Sequence, residues 1–258
     1  MSLIGEFFKS SCRAAAVLVL LSPLAQAQSW GTVTGQFVVD GKVNPLPDLV
    51  KKGDQSAKDA AVCAKNGVPD DSLIVNPENQ GLANVVIYMR KAPAMIHPDL
   101  KAVPSEKLVF DQEFCRFIPH VLTVRVGQTV QCKSSDEANH NVHTYPFSNN
   151  ADNFIISAND SVGRDLSYKT VESRPMKVGC DIHPYMTAWW VVLDHPYVAV
   201  TDSEGKFEIK GLPAGKHEFI VWHERAGYIN RKWELTVKAG DNPQDVQKVK
   251  AADLLKAQ

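Results

Sequence analysis

Short runs of β-branched and aromatic residues, broken by Gly, Pro, Asp and Asn, recur along the chain, and each predicts a strand. Residues 32–39 and 84–89 are the first two such runs. Between them, residues 42–80 are rich in Pro, Asp, Asn and Lys, which predicts a long excursion with one short helical turn near residues 56–64. Strand signals resume at residues 108–110, 121–126 and 129–132, with Gly127 and Gln128 as the turn that joins the last two. Residues 177–180 and 187–193 follow. From residue 197 the texture tightens: residues 198–200, 206–209 and 218–222 alternate or run apolar between glycine turns at 202–205 and 211–215, and a final strand is predicted at 233–237. Segments this short and closely spaced fit a sandwich or a barrel.

Composition agrees with an all-β chain that has a real core. Of 258 residues, 44% are hydrophobic and 22% charged, and 15 Gly and 15 Pro are spread along the sequence as turn formers. Lys+Arg number 28 and Asp+Glu 29, so the net charge of −1 gives no electrostatic reason to expect nucleic acid or an anionic membrane as partner.

The N-terminus carries an export pattern. Lys9 and Arg13 flank the start of an apolar run at residues 14–21, and Ala25, Gln26 and Ala27 supply the small-x-small site of a signal peptidase. The expectation is a signal peptide at residues 1–27, a mature chain from Gln28, and a periplasmic or extracellular location. An apolar run this short falls below the roughly 20 residues that cross a bilayer, so no membrane span is expected in the mature chain. Cys63, Cys115, Cys132 and Cys180 would then meet an oxidising compartment, and two disulfides are one reading of the four.

The neighbours of Cys180 favour another. Cys180, His183 and Met186 stand at C-x2-H-x2-M spacing in a loop between two predicted strands, and His140 and His143 lie upstream. A thiolate, two imidazoles and a weak thioether are the donors of a trigonal copper site that accepts both Cu(I) and Cu(II). A tetrahedral zinc site built from His140, His143, Cys180 and His183 competes with it. On a strand, positions three apart point to opposite faces, which favours His140 as the ligand and leaves His143 packed or at the surface.

Two resemblances follow from these residues. The Cys180, His183, Pro184, Met186 pattern, the His140-Asn141-Val142-His143 stretch and the proline-led lead-in at residues 117–130 resemble the cupredoxins, the type 1 blue copper family, with an amicyanin-like copper loop. That resemblance spans about residues 105–195. It implies a Greek-key cupredoxin β-sandwich, one copper ion held by His140, Cys180, His183 and Met186, and Asn141 behind the thiolate, where an ordinary turn asparagine is the competing reading. Pro184 would stiffen the loop, and Tyr185, Trp189 and Trp190 are candidates for an apolar rim near His183. Residues 201–215 match T-D-x-x-G-x-F-x-I-x-x-L-P-x-G throughout and resemble the smaller carboxypeptidase regulatory-like, or transthyretin-like, β-sandwich, which implies a fold and no chemistry. Residues 31–35 and 84–88 look like earlier strands of that same sandwich. The expected organisation is therefore a small sandwich opened by residues 28–104, interrupted by a copper domain at 105–195, and completed by 196–258. A tandem arrangement, with 28–104 as an extension of the middle domain, is the alternative.

With Cys180 as a ligand, Cys63 and Cys115 become the expected disulfide and Cys132 a buried free thiol, while His97, His195, His217 and His223 are expected to be structural. The functional expectation is an exported mononuclear copper protein that passes single electrons to and from a protein redox partner. A non-redox copper-binding or surface-associated interaction module is the alternative. No second copper motif, nucleophile elbow or clear carboxylate pair stands in the sequence, so no enzyme activity is expected.

Overall fold

The computed structural model describes residues 29–255; the signal-peptide expectation at residues 1–27 and the mature start at Gln28 lie outside them. The chain begins with β1 (Trp30–Asp40), α1 (Ala60–Asn66), β2 (Val86–Tyr88) and α2 (Pro98–Lys101). It continues through β3 (Leu108–Glu113), β4 (Arg116–Ile118), β5 (Val121–Arg125), β6 (Thr129–Ser134), β7 (His140–Tyr145), β8 (Asn153–Ile156), β9 (Arg164–Ser167), β10 (Met176–Gly179) and β11 (Thr187–Leu193). Last come β12 (Val198–Val200), β13 (Lys206–Pro213), β14 (Gly215–His223), β15 (Gly227–Val237), β16 (Gly240–Pro243), β17 (Gln247–Lys250) and α3 (Ala251–Leu254). The fold is all-β. No helix among the described residues is long and apolar enough to cross a membrane.

Strand pairing sorts these elements into two pairs of sheets. In the first pair, β1 lies between β13 and β16 with β17 continuing along it, and β2 lies between β12 and β14, with β15 beyond. Val33, Phe37, Ile87, Phe207, Phe219 and Leu235 fill the space between these two sheets. In the second pair, β5-β11-β10-β7-β8 faces β4-β3-β6-β9 over a core of Phe110, Phe117, Val130, Val142, Val178 and Trp190.

The continuous apolar run in β11 has a geometric reason. Side chains alternate across a strand, so Ala188, Trp190 and Val192 enter the core of the second pair, while Trp189, Val191 and Leu193 face the first pair. Strand β2 answers from the other side: Val85, Ile87 and Met89 enter its own core, and Val86 and Tyr88 join the junction. Each large aliphatic side chain buried there contributes about 1.5–3 kcal/mol.

Two segments take a course that their local pattern does not specify. Gly127 and Gln128 do form a turn between β5 and β6, with Gly127 at φ 85°, yet the strands do not pair as a hairpin. Val126 donates its amide to Leu193 and Gly127 donates to Tyr168, so the turn carries the chain from one sheet across to the facing one. The excursion between β1 and β2 also does not stay with its own strands. Val50, Cys63, Ala64 and Val68 are buried in the same cluster as Phe110, Cys115 and Cys180, so a segment early in the sequence covers the second pair of sheets.

Candidate metal centre

His140 opens β7, Cys180 follows β10, and these two strands are antiparallel neighbours with His143 opposite Gly179. Sheet pairing thus brings residues 140 and 180 together. The loop after Cys180 then returns on itself: the Met186 amide donates to the His183 carbonyl at 2.8 Å, and the Cys180 amide donates to the Met186 carbonyl at 3.2 Å. His183 is swung back onto the thiol, and its own amide donates to Cys180 Sγ at 3.4 Å.

Ligand atoms of His140, Cys180 and His183 all lie within 4.8 Å of one another, and all three residues are buried. The Nδ1 atoms of the two imidazoles face each other at 3.0 Å, and His183 Nδ1 lies 3.9 Å from Cys180 Sγ. Each outer ring nitrogen is held by a carboxylate. His140 Nε2 lies 2.9 Å from Asp136 Oδ2, and His183 Nε2 lies 3.0 Å from Asp59 Oδ2. A carboxylate is an acceptor only, so each Nε2 carries the hydrogen and each Nδ1 is left with a lone pair directed at the other ring. Two buried lone pairs facing at that distance require a cation between them or a proton on one of them.

Ionisation of the group follows the same logic. Burial pushes the Cys180 thiol up, but the interactions with the His140 and His183 rings, together with hydrogen bonds from the backbone amides of Asn141 and His183, outweigh it and bring the thiol down to about 6. Burial works against a charged His140, and the Asp136 and Cys180 interactions outweigh that as well, raising it to about 9. A thiolate beside an imidazolium is what the side chains favour by themselves, and a thiolate is the form that binds a metal.

Asn141 braces the loop. Its amide donates to Cys180 Sγ at 3.4 Å, and its Oδ1 accepts from the amides of Asp181 at 2.6 Å and Ile182 at 3.2 Å. Met186 is 3% exposed and belongs to the apolar cluster that holds Cys180. His143 is turned away from the cluster: its Nδ1 meets the Asp181 carboxylate at 3.1 Å, and its ring stacks on Tyr145 at 4.2 Å between centroids. The structure therefore brings together residues 140, 180 and 183 but not 143.

Of the three aromatic rim candidates, only Tyr185 approaches His183, with ring centroids 5.8 Å apart. Trp190 lies in the core against Phe110, and strand alternation sends Trp189 to the junction, where it packs on Trp222. Cys63 and Cys115 form a disulfide, and Cys132 is a buried free thiol pushed well up by burial. His195 Nε2 lies 3.0 Å from the Met89 carbonyl, His217 Nε2 lies 2.6 Å from the Pro213 carbonyl, and His97 caps α2 by accepting from the Asp99 amide; all three are structural contacts with the backbone.

Sequence reasoning missed the two carboxylates. Asp136 accepts from the amides of Phe114 and Cys115, each at 2.7 Å, as well as from His140, so it is fixed before it fixes the histidine. A cluster of Cys115, Asp136 and His140 is thereby explained without a second metal, because the Cys115 sulfur is spent in the disulfide. Position 136, four residues before His140, was a readable signal. Asp59 lies 124 residues from its partner and left none.

No family model and no curated protein matches the sequence. Among solved structures, an oxidised mutant of amicyanin aligns with 35% of this chain and 85% of its own, at 21% identity and a TM-score of 0.30. Amicyanin from Paracoccus versutus aligns with 43% of this chain and 98% of its own, at 17% identity and a TM-score of 0.29. A purple cupredoxin from Nitrosopumilus maritimus aligns with 34% of this chain and 99% of its own, at 16% identity and a TM-score of 0.28.

Proposed function

We propose that this chain binds one copper ion through His140, Cys180 and His183, with Met186 as a weak fourth donor, and passes single electrons to and from a protein partner outside the cytoplasm. The observation that carries the reading is the pair of facing Nδ1 atoms beside a thiol, each ring fixed from behind by a carboxylate. A soft thiolate with two imidazoles suits copper, and copper held there supplies a one-electron Cu(I)/Cu(II) couple.

The chain's own part is to keep the donors still. Asn141 pins the loop, two backbone amides spread the charge on the sulfur, and Asp136 and Asp59 fix the ring orientations, so little rearrangement accompanies a change of charge. Burial of all three donor residues excludes water and competing ligands. Export rests on the N-terminal pattern of Lys9, Arg13 and the apolar run that follows.

Adding Cu(II) to the purified metal-free protein tests the reading. An intense visible thiolate-to-Cu(II) absorption with reversible one-electron reduction is expected. A colourless Cu(I) complex without reversible electrochemistry would replace electron transfer by metal storage or a surface-associated interaction role, and zinc binding in preference to copper would overturn the copper assignment.

A further inference from the structure

Asp59 occupies the N-cap of α1 but does not cap it. Aspartate is among the preferred cap residues because its carboxylate accepts from the first free helix amides, yet here it makes no side-chain cap bond and its backbone is left-handed at φ 51° and ψ 45°. The carboxylate turns instead to His183, 3.0 Å from Nε2. The His183 side chain is 0% exposed and that of Asp59 is 40% exposed, so the carboxylate stands between the outer edge of the ring and solvent.

The segment that delivers Asp59 is fastened at the same place. Cys63 in α1 is bonded to Cys115, and the Cys115 amide donates to Asp136, the carboxylate behind His140. Ala64 and Val68 bury themselves in the core beneath. One disulfide thus ties the carboxylate behind one histidine to the turn that fixes the carboxylate behind the other. Asp59 thus leaves the helix uncapped and stands in the left-handed region, which aspartate tolerates better than most residues, while its carboxylate meets His183; a backbone outlier beside a buried polar cluster points to function.

We infer that Asp59 is a positioning residue of the copper centre, carried on a disulfide-fastened strap, which fixes His183 with Nδ1 inward and lowers the centre's reduction potential. The inference rests on the copper reading above. An anionic acceptor on Nε2–H makes the imidazole a more basic donor, and its negative charge favours the more positive metal state. Removing the charge therefore makes reduction easier. One electron enters, and no bond of the chain is made or broken.

Two variants of the full-length protein separate charge from hydrogen bonding. Asp59→Asn keeps an acceptor of nearly the same shape without the charge, and Asp59→Ala removes both. In the copper-loaded protein both should keep the visible band while the potential rises, in Asp59→Ala by on the order of tenfold in the reduction equilibrium, which is about 59 mV for one electron. The metal-free protein gives an independent readout: by 1H–15N NMR the His183 Nε2–H should be protected from exchange in the wild type and in Asp59→Asn, and lost in Asp59→Ala. Unchanged potentials in both variants of a copper-loaded protein would overturn the inference, as would a His183 N–H indifferent to Asp59→Ala. A wild type with no visible copper band would overturn the electron-transfer reading instead, and loss of the N–H in Asp59→Ala would then still assign Asp59 the positioning of the ring.

Discussion

Two buried histidine clusters in this protein look alike in composition and differ in what they leave unspent. At the sheet junction, His120 Nε2 is hydrogen-bonded to Glu224 Oε1, Trp189 Nε1 donates to Glu224 Oε2 at 2.9 Å, and His223 lies alongside at 0% exposure. Both oxygens of the Glu224 carboxylate are matched by donors. Burial opposes charge on His120, the Glu224 contact outweighs it and raises the imidazole, while burial alone dominates at His223 and pushes it down to about 4. At the other cluster, His140 and His183 spend their outer nitrogens on carboxylates and turn two lone pairs toward each other beside a thiolate-favouring cysteine. Burial and a neighbouring carboxylate are common to both. The junction leaves a single buried ring nitrogen, His223 Nε2, without a hydrogen-bond partner; only the second cluster turns two lone pairs and a sulfur toward one point, and that is what distinguishes the proposed metal centre from a structural polar cluster.

Cys180→Ser should break this contrast most completely. A serine hydroxyl does not ionise in this range, so the soft anionic donor disappears while the two imidazoles remain. Loss of the intense visible absorption on copper addition is expected, and a variant that kept it would exclude Cys180 as the source of the band.

Next in size is the difference between two histidines three residues apart. His140→Ala removes one of the facing Nδ1 atoms, whereas His143→Ala removes contacts with Asp181 and with the ring and hydroxyl of Tyr145. Copper affinity should fall far more in the first. Asp136→Asn should lie between them, at about 10–100-fold, the usual cost of losing the partner behind a ligand. Equal losses on competition titration of His140→Ala and His143→Ala would favour a site that uses both.

How much of this was legible beforehand depends on distance along the chain. The loop spacing at Cys180, His183 and Met186 is local, and strand alternation separates His140 from His143, so those residues could be named from the sequence. Strand signals at β1, β2 and β10 to β15 were likewise local patterns of branched and aromatic residues. Strand β9, with Leu166 as its one apolar position, and β16 and β17, which pair in parallel with β1, carry little pattern of their own, and β8 is a four-residue, mostly apolar run too short to show a period. Asp59 reaches His183 only because the excursion folds over a sheet pair to which its flanking strands do not belong. A contact made that way is a property of the tertiary fold and has no periodicity to betray it.

The junction cluster makes its own, smaller prediction through acid. His223 is held neutral, with its value lowered from about 6.5 in the unfolded chain to about 4. A lowered folded-state value means that the unfolded chain takes up the proton first, so the stabilisation is fully present above about pH 6.5 and is lost as pH falls toward 4. The loss amounts to about 3 kcal/mol. Urea unfolding of wild type and His223→Gln at pH 7 and pH 4.5 should show a steeper acid loss in the wild type. Parallel profiles would mean that His223 does not carry it.

Met186→Leu is the smallest change and sharpens the comparison at its edge, because Met186 belongs by burial to the apolar cluster and by spacing to the loop of Cys180 and His183. Leucine nearly conserves volume, and swaps of this kind in a core cost less than about 1.5 kcal/mol. Its backbone bonds to Cys180 and His183 are unaffected by the side chain, so the loop should keep its shape. On the proposed ligand set, what changes is the loss of a weak sulfur donor, which withdraws electron density from the more positive copper state. The visible band should therefore survive while the reduction potential rises. An unchanged potential would place Met186 with Trp190 and Val178 as packing alone, leaving His140, Cys180 and His183 as the complete donor set.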